Sequence, residues 1–134
     1  MKTEPGIRIG LSLPYGEAVE KTIEALKTEG FGILTRIDIK ATLKEKLDVD
    51  FRPYVILGAC NPPLAHRALS ANLDVGLMLP CNVTVYEEGT GSVVTAADPM
   101  EMLGTLKDDE AAREVAVEAG TRLKRVIASL ASPA

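Results

Sequence analysis

The sequence has no tryptophan, and three tyrosines and two phenylalanines are its whole aromatic complement. A core built from it must therefore be aliphatic, made of Leu, Ile, Val and Ala. There is one histidine and there are two cysteines, too few and too scattered for a conventional zinc set, which uses tight Cys-x2-Cys pairs and four ligands. No Gly-x-Ser-x-Gly, no glycine-rich phosphate loop before Lys-Ser/Thr and no His-Glu-x-x-His occurs, so the common hydrolase, nucleotide and metalloprotease signatures are missing. Apolar runs stop well short of the roughly 20 residues needed to span a bilayer. The opening Met1-Lys-Thr-Glu-Pro-Gly has no apolar leader region. Lys/Arg-rich blocks are missing as well: acids outnumber bases 19 to 15, for a net charge of −4 and a pI near 5.0. A binder of phosphate backbones needs clustered cations, so no nucleic acid and no membrane is expected as partner. Two cysteines in such a chain read as reduced thiols in the cytoplasm before they read as a disulfide.

What is present is patterned. At 134 residues with 46% hydrophobic content, the chain is long enough for a single domain, residues 1–134, with its own core. Ile7 to Leu13 alternates as a strand. Val19, Thr22, Ile23 and Leu26 follow at helical spacing up to Gly30, a natural stop. Phe31 to Ile37 alternates again. Asp38 can cap a short helix with Ile39, Leu43 and Leu47 on one face. Tyr54 to Cys60 is a continuous apolar run suited to a central strand. Asn61 is a good helix cap with Pro62 at the first helical position, which predicts a helix over residues 62–73.

Val75 to Leu79 and Asn82 to Glu87 read as strand material, separated by a bend at Pro80-Cys81. Glu88-Gly-Thr-Gly91 is a hairpin loop, and Ser92 to Ala97 is the returning strand. Asp98-Pro99-Met100-Glu101 has capping-box spacing and opens a turn that Gly104 closes. Asp108 starts a last helix with one apolar stripe from Ala112 to Leu130, about 35 Å long. Gly120 inside it suggests close backbone packing there. The order β-α-β-α-β-α-β-β-β-α predicts an α+β fold: a curved, mixed or mainly antiparallel sheet with helices packed on one side.

Chemistry concentrates in two Cys-Asn pairs, Cys60-Asn61 and Cys81-Asn82, both where strand geometry breaks. Cys60 precedes a helix N-terminus, where unpaired N–H groups favour a thiolate. Against this stands a plainer reading, in which Cys60 is a small buried hydrophobe and Asn61 merely caps. If the two breaks share a sheet edge, the sulfurs could meet in a bridge, a relay or a soft-metal site. His66 falls at the border of the apolar face of its helix, where it could reach a pocket or simply face water. Glu17, Glu20, Lys21, Glu24 and Lys27 read as a solvated helix face.

The segments GFGILTRIDIKATLKEKLDVDFRPYVILGACNPPLAHRAL and GLMLPCNVTVYEE resemble the bacterial and archaeal family catalogued as domain of unknown function 302. Gly58 to Pro62 and Leu79 to Asn82 carry the most specific part of the likeness, which covers nearly the whole chain. The resemblance implies an α+β fold of the TATA-binding-protein type, often dimeric, and no activity.

Three functions remain. The leading expectation is a small cytoplasmic protein, a homodimer, that binds a small molecule or soft ion near Cys60, Asn61, His66, Cys81 and Asn82, with no cofactor identified. The enzyme alternative makes Cys60 a nucleophile with His66 as base, in a redox or transfer reaction. The third is an interaction module that assembles through its long helix or a sheet edge. Metal ligation by Cys60, Cys81 and His66 has only weak support.

Overall fold

The computed structural model describes residues 6–131; the Met1–Pro5 opening, read above as lacking a leader, lies outside them. Five strands form one antiparallel sheet: β1 (Ile7–Leu11), β2 (Gly32–Asp38), β3 (Tyr54–Cys60), β4 (Cys81–Glu88) and β5 (Gly91–Ala96), in the spatial order β1-β5-β4-β3-β2. Five α-helices accompany them: α1 (Tyr15–Thr28), α2 (Ile39–Leu47), α3 (Pro62–Ala71), α4 (Pro99–Met102) and α5 (Glu110–Leu130). The α+β class, the antiparallel sheet and the long C-terminal helix agree with expectation.

Strand alternation decides which side chains enter the core. Val55, Leu57 and Ala59 of β3 stand on the same face as Val83 and Val85 of β4 and Val94 and Ala96 of β5, and all are buried. Helices α1 and α5 pack on each other and against this sheet. Ala18, Val19 and Leu26 close the layer from α1, and Leu123, Val126, Ile127 and Leu130 close it from α5. The opposite face carries Tyr54 stacked on Tyr86, with ring centroids 5.4 Å apart. A second, smaller cluster around Ala68, Val75, Leu103, Ala112 and Ala116 joins α3 and α5 beyond the sheet end.

Four expectations need correction. Val75 to Leu79 is not a strand: Leu73–Met78 forms a 3-10 helix, so the sheet has five strands rather than six. Asn72 starts it, its Oδ1 accepting the Asp74 N–H at 2.9 Å. Val75 and Met78, three residues apart as that helix demands, turn inward, while Leu73 and Leu77 are each 84% exposed. α3 accordingly ends at Ala71. The last helix begins at Glu110 because a 3-10 turn at Gly104–Asp108 leaves Asp109 to cap it, accepting the Ala112 N–H at 2.9 Å. Helix α2 is capped by Asp38 as expected, yet buries no residue, and Leu47 is 65% exposed. It packs mainly on β2 and β3, at the sheet's edge. Finally, a Cβ on Gly120 would meet Pro99 Cδ at 3.8 Å and Asp98 Oδ1 at 3.9 Å, ordinary contacts that require no glycine.

Candidate functional site

The predicted Cys-Asn breaks do fall at one end of the sheet. In the β3–β4 ladder Ala59 pairs with Cys81 and Gly58 with Asn82, so Cys60 and Cys81 are one step apart on neighbouring strands. Both thiols are free and half-buried. Pro80, which follows Leu79 through a cis peptide bond, lies over Gly58: a side chain there would collide with Pro80 Cγ at 2.8 Å and with the Thr35 hydroxyl. Only a glycine fits at this close approach between β2, β3 and the segment before β4.

Beyond this strand end, α3, α4, α5 and the Leu73–Met78 turn close around a cavity of about 80 Å³. Its walls are apolar, supplied by Phe31, Ala59, Leu64, Leu103 and Ala116 among others. Cys60, Asn61, Cys81 and Asn82 line it together. Among the described residues no charged side chain lines it. His66 takes no part: Leu64 and Ala68 form the inward face of α3, and His66 is exposed.

Asn61 is committed elsewhere. It is buried, its Oδ1 accepts the Leu64 N–H at 3.3 Å, and its Nδ2 donates to the Glu29 carbonyl at 3.1 Å. The side chain caps α3 and ties it to the end of α1, which leaves it little to offer a ligand. The Glu29 carbonyl also accepts from Arg122 Nη1 at 3.2 Å. The Glu29 carboxylate takes two bonds from Arg125, at 2.8 and 3.1 Å. Arg122 in turn bonds Glu118, which also pairs with Arg67 of α3 at 3.2 Å. This chain of ions fastens α1, α3 and α5 beside the cavity.

Of the two readings of Cys60, the electrostatics favour the plainer one. Burial pushes the Cys60 thiol above its ordinary value. Cys81 is also pushed up, first by burial and then by the proximity of Cys60, where a second negative charge would be repelled. Desolvation outweighs the help of the α3 N-terminus. Among the described residues no group of three or more His, Cys, Asp and Glu side chains could hold a metal ion.

The pattern passed over two methionines. Met78 and Met102 line the same cavity as the thiols. Met78 stands three residues before Cys81, inside the stretch read as a strand, and that reading hid it. Met102 reaches the cavity only through the tertiary fold, and no local signal marks it.

The sequence profile described as "Domain of unknown function DUF302" matches residues 7–130. The chain belongs to the DUF302 family. A solved structure of similar fold is the "uncharacterized conserved protein DUF302 from Bacillus stearothermophilus": it shares 36% identity and superposes with a TM-score of 0.82, covering 90% of this chain and 94% of that one. No curated protein matches this DUF302 chain. No described helix is long and apolar enough to cross a membrane.

Proposed function

We propose that this DUF302 chain is a binding protein that admits a guest of a few atoms to the cavity at the Cys60–Cys81 strand end. The observation that carries this reading is the lining: apolar walls, two free thiols and no charged side chain around about 80 Å³. Apolar cavities stay dry and accept apolar guests, and an engineered one of about 150 Å³ holds benzene. A hollow about half that size suits a small neutral molecule or a soft ion and is too small for a nucleotide. The Cys81 thiol, on the core-facing side of β4, would make the polarisable contact. Asn82, exposed at the rim, is placed to greet a guest, whereas Asn61 supports the site by fixing α3.

The thiol-enzyme alternative has less behind it. A nucleophilic cysteine needs a lowered pKa or a nearby base, while burial pushes both thiols up and His66 stands outside the cavity. The reduced thiols fit a cytoplasmic setting. The acidic surface supports neither nucleic acid nor membrane as partner.

A second reading, self-association into a homodimer, rests on a different patch. Leu34 and Ile37 of edge strand β2 are 66% and 45% exposed, and Leu47, Val49 and Phe51 are exposed close by in sequence. Uncovered apolar side chains on an edge strand invite pairing. Light scattering should give twice the chain mass, reduced to one chain by Ile37→Lys; a monomer at high concentration removes this reading.

The binding reading is tested by thermal unfolding against a panel of small apolar and thiophilic compounds. A ligand at about 100 times its Kd should stabilise the fold by roughly 2.7 kcal/mol. If no compound raises the midpoint, the cavity is only a packing defect.

A further inference from the structure

The volume of the cavity limits what it can hold by itself. A hollow of about 150 Å³ takes the six carbons of benzene, so one of about 80 Å³ takes roughly three or four. Each buried CH2 group strengthens binding about fourfold, so that many together supply about 100-fold. A free molecule must also surrender its translational and rotational freedom. The hollow alone then holds a small free guest only at about millimolar affinity or weaker. Tighter binding requires the guest to be one end of a larger body that also touches the surface around the mouth.

That surface is apolar. Met102 lines the cavity and is 49% exposed, which places it at the mouth. Val75 and Met78 form the inner side of the Leu73–Met78 turn that walls the cavity. Leu73 and Leu77, on the outer side of the same turn, are each 84% exposed, more than any other large apolar side chain among the described residues.

The surface is also acidic. Asn72 Nδ2 donates to Asp109 Oδ2 at 3.1 Å, and Val75, Leu103 and Ala112 share one buried cluster. The turn, the segment after α4 and the start of α5 thus meet at one end of the molecule. Residues 72–79 and 98–110, which build that end, carry six carboxylates and one lysine, a net −5, against −4 for the whole chain. Asp98 and Asp109 serve as helix caps, whereas Asp74, Glu101, Asp108 and Glu110 are exposed.

Charge and size together select the occupant. The carboxylate of a fatty acid or the phosphate of a phospholipid is repelled at such a rim, so an alkyl tail with an anionic head fits poorly. Three or four carbons match the side chain of Leu, Ile or Val. We infer that the cavity is the anchor pocket of a docking surface for a partner protein: one aliphatic side chain of the partner enters between α3, α5 and the Leu73–Met78 turn, and Lys or Arg residues beside it meet the acidic rim. An anchor sunk in a pocket, with water excluded around it, is how such interfaces concentrate their energy. Met78 and Met102 are flexible enough to close around it. The inference rests on the reading of the cavity as a binding site and names its guest as part of a protein.

The test is selection of short random peptides displayed on phage against the full chain, followed by titration of the enriched peptides, labelled, in fluorescence anisotropy. The enriched peptides should share one Leu, Ile or Val flanked by Lys or Arg. Replacing that anchor by Ala should weaken binding about tenfold or more, and added salt should weaken it further. Ala116→Leu, which fills the cavity, should abolish binding. Leu73→Ser with Leu77→Ser should weaken it about tenfold. Should Ala116→Leu fail to fold, as judged by circular dichroism, the serine pair decides, because it removes only exposed side chains. No enriched family, one with acidic flanks, or one indifferent to these variants overturns the inference. So does n-butylamine binding as tightly as the peptides, since the guest is then a free small cation. Xenon run in parallel separates the two levels: xenon bound without peptides leaves the cavity reading standing and removes the partner, and binding of neither removes both.

Discussion

Cys81 faces Ala59 across the β3–β4 ladder, one residue short of Cys60. That single step turns the two side chains to opposite faces of the sheet at one strand end, where both residues border the same apolar cavity. Twin Cys-Asn pairs in the sequence thus mark one place in the fold. The chemistry there is that of neutral thiols, since burial disfavours the charged form of each.

Alkylation should reflect this. Both thiols are expected to react with iodoacetamide more slowly than a free thiol at neutral pH, with Cys81 the slower. The folded state keeps its thiol protons to higher pH than the unfolded chain does. Stability is therefore full below the ordinary thiol value, given as about 8.5 in model peptides, and falls as pH rises from there through the folded values. Mass-resolved alkylation from pH 7 to 10 checks the rates; a Cys60 faster than free thiol at pH 7 would restore the nucleophile.

Asn61→Ala removes the α3 cap and one of the two hydrogen bonds to the Glu29 carbonyl. It should cost about 1–3 kcal/mol in chemical denaturation. Asn61→Ser keeps a capping oxygen for the start of α3 and loses the donor to the Glu29 carbonyl, so it should cost less. Equal losses would mean that the tie to α1 carries the stability and the cap does not.

Two glycines should respond in opposite directions. Gly58→Ala drives a methyl into Pro80 and Thr35 and should destabilise by about 1–3 kcal/mol. Gly120→Ala meets nothing closer than 3.8 Å and should stabilise α5 by about 0.5–1 kcal/mol. Urea midpoints of the two variants decide, and a loss at Gly120 would show hidden crowding against α4.

Acid should loosen the helix layer. Arg125 holds the Glu29 carboxyl below its ordinary value. Arg67 and then Arg122 do the same for Glu118, and the Ala112 N–H followed by the Asn72 amide does so for Asp109. With depressed folded values, the unfolded chain binds protons first. Their contribution is then complete above the usual carboxylate range, about pH 4, and disappears as pH falls through the lower folded values. Unfolding midpoints measured from pH 6 to 2.5 should fall, and less steeply in Glu118→Gln.

The sequence was most informative where local chemistry and tertiary demand agree. Tyr54 to Cys60 is a central strand with the bounds its apolar run implies. Asn61 before two prolines starts a helix because the cap and the fixed proline φ need no distant partner. Val75 to Leu79 misleads because a short apolar run suits a strand as well as a helical turn; Asn72 turns the backbone into a 3-10 helix instead. Of the site residues, Cys60, Cys81 and the two asparagines come together, and His66 does not, since a border position on a wheel does not fix which neighbour packs there. Met78 and Met102 become visible only once the layers are assembled, because a methionine at helical spacing looks the same in any core. The ion chain through Glu29, Arg122 and Glu118 was equally hidden, being set by helix packing across nearly a hundred residues of sequence.

The claim that the sulfur-lined cavity admits a guest is tested most directly by carbon-13 NMR of the methionine methyl groups under xenon pressure. The account predicts saturable shifts at Met78 and Met102, both abolished when Ala116→Leu fills the cavity. Four methionine signals that stay fixed, or that drift equally and without saturation, would contradict it.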